Sequence, residues 1–264
     1  GAGGPAWSAT FTRCGGRWTP DTSVSRLRAR ALATSRPPEL RKEALTALAF
    51  IHTQQAADEM IEIATRSTGS IKAQATWWLL NQGNHNWKEF GVKAALKEKG
   101  IYDPDKVEIM ALMVPKPEGP TKMTVEGIQK LKGNPETGKL IATACATCHR
   151  IEGQGVDYAP DLTGWAKTQT TDVVIRAIID PSADIAHGFD GHEIVTKNGA
   201  KIHGLILSDN DPVMIQSMGG LTQNIPKKRI QSKRKLGRSL MMSAEQLGLN
   251  EQYVADIVAY LKGL

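Results

Sequence analysis

The sequence predicts a mainly α protein in two parts: a stack of helices, then a second helical domain that carries a small antiparallel β insert. Three observations carry this reading. Apolar residues recur at helical spacing through the first hundred positions. The stretch "YDPDKVEIMALMVPKPEGPTKMT", rich in proline, then interrupts regular structure. Beyond it, "HEIVTKNGAKIHGLILSD" alternates apolar and polar residues around Asn198-Gly199, a strong short-range hairpin signal. A chain of 264 residues, 41% apolar and 23% charged, is long enough for two cores.

Segment 1–21 has no placed element and holds Cys14. "DTSVSRLRARALAT" begins with cap-type residues and repeats Val24, Leu27, Ala31 and Leu32 at helical spacing. "RPPELRKEALTALAFI" enters its helix through proline and sets Leu40, Ala44, Leu45 and Leu48 on one face. "QQAADEMIEIATRS" and "GSIKAQATWWLLNQ" follow in the same manner. The apolar positions of "LRKEALTAL" from Leu40 match those of "IKAQATWWL" from Ile71, a period found in stacked helix pairs. Residues 22–101 therefore resemble a HEAT-like helical domain, with a plain helical bundle as the alternative. Trp77, Trp78 and Trp87 could form a binding platform, but aromatic residues so spaced are more often buried packing. Residues 102–123 read as a linker and 124–264 as the second domain, its β insert at about 190–237. "VEGIQKLKG" predicts one short helix, and Glu136 starts another that runs into the cluster "ACATCH".

On a helical turn Cys145, Cys148 and His149 stand at i, i+3 and i+4 and project to one side. That spacing suits a c-type haem, with two thioethers to the vinyl groups and the adjacent imidazole on the iron. Zinc would need a second ligand pair, which the chain does not supply, and a thioredoxin-like motif would follow a strand rather than a helix. Three cysteines in this length also exclude a disulfide framework. The open axial position needs its own ligand. Met214 and Met218 lie in a strand-like stretch and read as core, whereas Met241 and Met242 lie in an irregular segment just before the last helix, "NEQYVADIVAYLKGL".

These residues resemble the signatures of small c-type cytochromes: "GNPETGKLIATACATCH", "APDLTG" and "SLMM" followed by the closing helix. More narrowly, residues 124–264 resemble the haem-binding domain at the C-terminal end of large multidomain proteins of planctomycete-type bacteria. There it commonly follows helical repeats and a β-propeller resembling sugar dehydrogenases. "RAIIDPSADIAHGFDGHEIVTKNGAKIHGLILSDND", "WWLLN" and "YDPD" also fit that pattern. The resemblance implies one covalently attached haem c, held by Cys145 and Cys148, with His149 as proximal ligand. It also implies that the Pro160 carbonyl orients the imidazole, that Trp165 contributes to the pocket, and that Met241 is the sixth ligand. The family has proline where Met242 stands, so Met242 competes with Met241. His187, His192 and His203 are the rival nitrogen ligands and read as surface or loop residues.

The implied function is a monohaem electron-transfer module that relays electrons from a dehydrogenase domain or a partner protein. The alternative is a haem enzyme or gas-binding sensor with a labile distal ligand. No acid–base or nucleophile constellation points to catalysis by this chain, and Asp180, Asp184 and Asp190 are scattered through loop signals. The run "IPKKRIQSKRKLGRS" gathers Lys227, Lys228, Arg229, Lys233, Arg234, Lys235 and Arg238. It reads either as a collar that docks an acidic redox partner or pairs with haem propionates, or as a solvated face. The net charge of +6 agrees with an acidic partner but is also ordinary for solubility. No nucleic-acid motif accompanies the run. No apolar run is long enough to span a membrane, and the first residues lack the order of a signal peptide. Thioether attachment in bacteria takes place outside the cytoplasm, so a periplasmic or otherwise exported location is expected, with the export signal lying outside this sequence.

Overall fold

A computed structural model describes residues 20–117 and 119–264, with side chains from Ser23 onward. Cys14 and nearly all of segment 1–21 lie outside the described residues. The chain divides into two units between Asp103 and Pro104.

The first unit holds α1 (Pro20–Leu32), α2 (Pro38–Ala49), α3 (Gln54–Arg66), α4 (Gly69–Gln82) and the short α5 (Val92–Glu98). Pro38 opens α2, where a missing amide costs nothing, and the Thr53 hydroxyl caps α3 by accepting from the Ala56 amide. The buried faces follow from the spacing: Ala44, Leu45, Leu48 and Ala49 on α2; Met60, Ile61, Ile63 and Ala64 on α3; Ile71, Ala75, Leu79 and Leu80 on α4. α1 packs on α2 and α3, and α4 packs on the same two helices. Trp87 is fully buried and its indole donates to the Ile51 carbonyl at 3.0 Å, so packing is its role. Trp77 and Trp78 are half-buried and meet edge to face at 4.3 Å between ring centres.

The second unit begins with α6 (Val125–Gln129) and α7 (Pro135–Ile141). Asn134 caps α7 by accepting from the amides of Glu136 and Thr137. The tiny hairpin β1 (Arg150–Ile151) and β2 (Gln154–Gly155) comes next, then α8 (Trp165–Thr168) and α9 (Thr171–Ile179). The closing helix is α10 (Glu251–Gly263), capped by Asn250. α10 lies across α7 and also touches α6, α8 and α9. The crossing is backbone to backbone: a Cβ added at Gly138 would stand 1.9 Å from the Asp256 carbonyl oxygen. The buried Asp256 carboxylate accepts from the Asn134 amide at 2.7 Å and from Gln252 at 2.9 Å. The start of α7 is thus tied to the middle of α10. One apolar cluster, including Ile128, Val174, Ile175, Val254, Ile257 and Leu261, fills the space among these helices.

The β insert forms a five-stranded antiparallel sheet: β3 (His192–Thr196), β4 (Lys201–Ser208), β5 (Val213–Gln216), β6 (Thr222–Ile225) and β7 (Ile230–Lys235), in the order β6-β5-β4-β3-β7. Asn198-Gly199 makes the β3–β4 turn, with Gly199 at φ 86°. Two differences from the sequence reading stand out. Residues expected as linker are part of this sheet: Leu112 bridges Ile202, and the Gln223 side chain bonds both the amide and the carbonyl of Met110. The extended segment satisfies its backbone groups on the start of β4 and on the Gln223 side chain of β6, despite its prolines. The helix expected to run into the cysteine cluster stops at Ile141 and continues only as turns and a 3₁₀ turn, Cys145–Thr147.

Candidate functional site

The Cys145–His149 turn is closed at the Cys145 carbonyl, which accepts from the Cys148 amide at 3.0 Å and the His149 amide at 2.9 Å. The loop after it folds back and grips it. Val156 donates to the Ala146 carbonyl at 3.0 Å, Ala159 to Cys148 at 2.9 Å and Leu162 to Arg150 at 2.9 Å. The hairpin turns through Glu152 and Gly153, both at positive φ. Gly155 permits the close return, because a Cβ there would lie 2.2 Å from the His149 carbonyl oxygen. This brings Pro160 to the imidazole, and His149 Nδ1 donates to the Pro160 carbonyl at 2.7 Å. The bond leaves Nε2 as the free ring atom, the arrangement a ligating histidine uses.

His149 is buried, and desolvation pushes its pKa down against the opposing pull of the Pro160 bond and Asp161. The neutral ring is the form that ligates iron. Burial pushes the thiols of Cys145 and Cys148 up, so neither is a ready thiolate. Among the described residues no three His, Cys, Asp or Glu side chains converge to hold a metal ion. A zinc site and a thiolate redox pair both fit this environment poorly.

Two apolar clusters meet the turn. Cys145 packs against the helical core, as do Ile141, Leu162, Trp165 and Leu249. Cys148, Met218 and Met242 pack against a second cluster formed by Val114, Tyr158, Leu205 and Leu240. Tyr158 and Val114 were not singled out by sequence reasoning, whereas Met218, read there as core, packs against this cluster from the 217–221 turn. That turn leans on the motif: the Gly219 backbone bonds the Cys148 sulfur, and Gln216 donates to the Asp157 carbonyl at 3.3 Å. Helix α9 was also unassigned, although Val174, Ile175, Ile178 and Ile179 mark its buried face.

Met241 and Met242 are both half-buried in the segment before α10, and only Met242 packs in the cluster with Cys148. The Met241 amide donates to the Ser239 hydroxyl at 3.0 Å. Of the rival histidines, His187 is exposed in a loop and His192 is half-buried at the sheet margin. His203 differs from its expected surface position. It is buried on β4, its Nδ1 accepts from the Val114 amide at 3.0 Å, and its Nε2 meets Glu193 at 3.0 Å. Both ring nitrogens are engaged, so it has none to offer iron. His203 and Arg234 in turn hold the Glu193 carboxyl below the usual range.

The basic run is not a bare collar. Lys228 pairs with Asp105, Lys233 with Asp209, Arg234 with Glu193 and Lys235 with Asp190. Arg229 donates to the Val107 carbonyl and Arg238 to that of Val114. Much of the run is β7, an edge strand, where exposed lysines also discourage strand-to-strand association.

The residues fit a covalently attached haem. Two neutral thiols and an oriented imidazole lie on one turn, bordered by apolar side chains, and the Tyr158 hydroxyl is buried in that border with no hydrogen-bond partner. Residues 135–211 match the Cytochrome c family, so the second unit carries a cytochrome c domain. The match spans Cys145, Cys148, His149, Pro160 and Trp165 and ends before the two methionines. No curated protein matches the chain.

Proposed function

We propose, from the cytochrome c domain at residues 135–211, that this chain is a monohaem electron-transfer module carrying one covalent haem c. The observation that carries the reading is the His149 turn, with two cysteines at thioether spacing and the imidazole fixed by the Pro160 carbonyl. A haem so held supplies a one-electron couple at iron. Cys145 and Cys148 would tether it and His149 Nε2 would bind its iron, with Trp165 packed against the same helical core as Cys145 and Pro160 fixing the imidazole plane. Met241 is the sixth ligand on the order of its loop. Met242 is the second reading, favoured by its packing with Cys148.

Electrons come from a dehydrogenase domain or a partner protein, docking near Lys227–Arg238. This reading places the chain in a planctomycete-type multidomain protein at an exported location, with the first unit as a HEAT-like stack. Among the described residues no helix is long and apolar enough to cross a membrane. The enzyme or sensor alternative gains nothing specific from the geometry.

The decisive test is the haem link itself. Protein produced with export and haem-attachment machinery should keep its colour through acid–acetone extraction and denaturing electrophoresis, with the mass of one haem added. The double variant Cys145→Ser/Cys148→Ser should lose both signals. Colour extracted into solvent from the wild type refutes the reading.

A further inference from the structure

The Tyr158 hydroxyl is the observation without an owner. Tyr158 is 6% exposed, and its oxygen is fully shielded and makes no hydrogen bond. A buried hydroxyl left unpaired costs on the order of 1–3 kcal/mol. The Tyr158 backbone is fixed, since its amide donates to the Cys148 carbonyl at 3.3 Å. Tyr158 shares its apolar cluster with Val114, Leu205 and Leu240, and the sulfur-bearing residues packed against that cluster are Cys148, Met218 and Met242. Sulfur is a weak acceptor, and none of the three takes the bond. Burial pushes the phenol pKa far up, so the group is a donor.

We infer that the Tyr158 O–H donates to a propionate carboxylate of the haem, a contact that rests on the haem reading above. Apart from its ring, a haem attached through Cys148 brings only its two propionates as strong acceptors, and a carboxylate is the acceptor a lone buried phenol binds best. The same pocket can tolerate that charge. Arg238 donates to the carbonyl of Val114 at 2.6 Å, and Val114 is one of the residues packed with Tyr158. A guanidinium therefore sits at the wall of an otherwise apolar cluster. Tyr158 is thus a positioning residue that holds one propionate and damps its negative field at iron.

The test is Tyr158→Phe in the full-length holoprotein, which deletes one oxygen and keeps the ring. The propionate bending mode in the resonance Raman spectrum should shift. Less neutralised carboxylate charge favours ferric iron, so the midpoint potential should fall, moving the ferric-to-ferrous ratio at fixed potential by about twofold or more. The wild-type mode should also shift between H2O and D2O. A folded variant with both mode and midpoint unchanged overturns the inference, and so does a wild-type mode insensitive to D2O. Haem lost from the wild type on denaturing gels would instead defeat the haem reading, so the two failures are distinct.

Discussion

Cys145 and Cys148 sit three residues apart on one turn, yet the clusters that receive them are built differently. The Cys145 cluster is closed by α6, α7, α9 and α10, and none of the buried unpaired polar atoms among the described residues belongs to it. The Cys148 cluster is assembled from loop 156–159, the 217–221 turn, the sheet and the segment before α10, and it contains an unpaired buried hydroxyl. One is a finished core that sets the motif in place. The other has the composition of a wall, apolar except for that one hydroxyl. The difference teaches that the helices seat the motif at Cys145, whereas loops and the β insert meet it at Cys148.

Disturbing the finished side should have the largest effect. At Gly138 the α7–α10 crossing leaves no room for a Cβ, since the Asp256 carbonyl oxygen is 1.9 Å away. Gly138→Val should separate the two helices and cost about 3 kcal/mol or more. Denaturant unfolding of the holoprotein measures this, and a loss under about 1 kcal/mol would mean the crossing is not as tight as described.

The unfinished side is probed more gently through its methionines. If Met241 binds iron, Met241→Ala should remove the weak red charge-transfer band of the ferric protein, lower the potential and admit carbon monoxide to the ferrous form. Met242→Ala should then change little beyond a packing loss of about 2 kcal/mol. The reverse pattern assigns the iron to the methionine that packs with Cys148. Ready carbon monoxide binding by the wild type would move the sensor or enzyme alternative ahead.

The two sides also differed in how far they could be read from the sequence. Helical spacing located α1 to α4, the helix read from Glu136 corresponds to α7, and "NEQYVADIVAYLKGL" corresponds to α10, because periodicity is local. The Cys145, Cys148 and His149 spacing is local too, and so is the Asn198-Gly199 hairpin. Tyr158 and the Val114–His203 bond escaped notice because each depends on partners that are distant in the chain: the Val114 amide meets a histidine 89 positions away. Residues 102–123 read as linker because their prolines break helices, but extended backbone such as that at Leu112 can still pair with a sheet. His203 read as surface because polarity suggests exposure, until a carboxylate and an amide satisfy both ring nitrogens.

The smallest effect belongs to the basic run, where charge was legible and its neutralisation was not. Four of its cations face carboxylates within the fold, so the field they project is close to that of dipoles rather than of free charges. Steering by free charges would make exchange with an acidic partner fall steeply as the screening length drops from about 10 Å at 0.1 M salt toward 3 Å at 1 M. With the pairs intact, the bimolecular rate measured by stopped flow should change by less than about threefold over that range. Removing the acids sharpens the test: Asp190→Asn with Asp209→Asn frees Lys235 and Lys233, and should raise the low-salt rate and steepen its salt dependence. A steep dependence in the wild type would mean that the pairs open on docking and that the run acts as a collar after all. A flat profile in both proteins would place docking on another face.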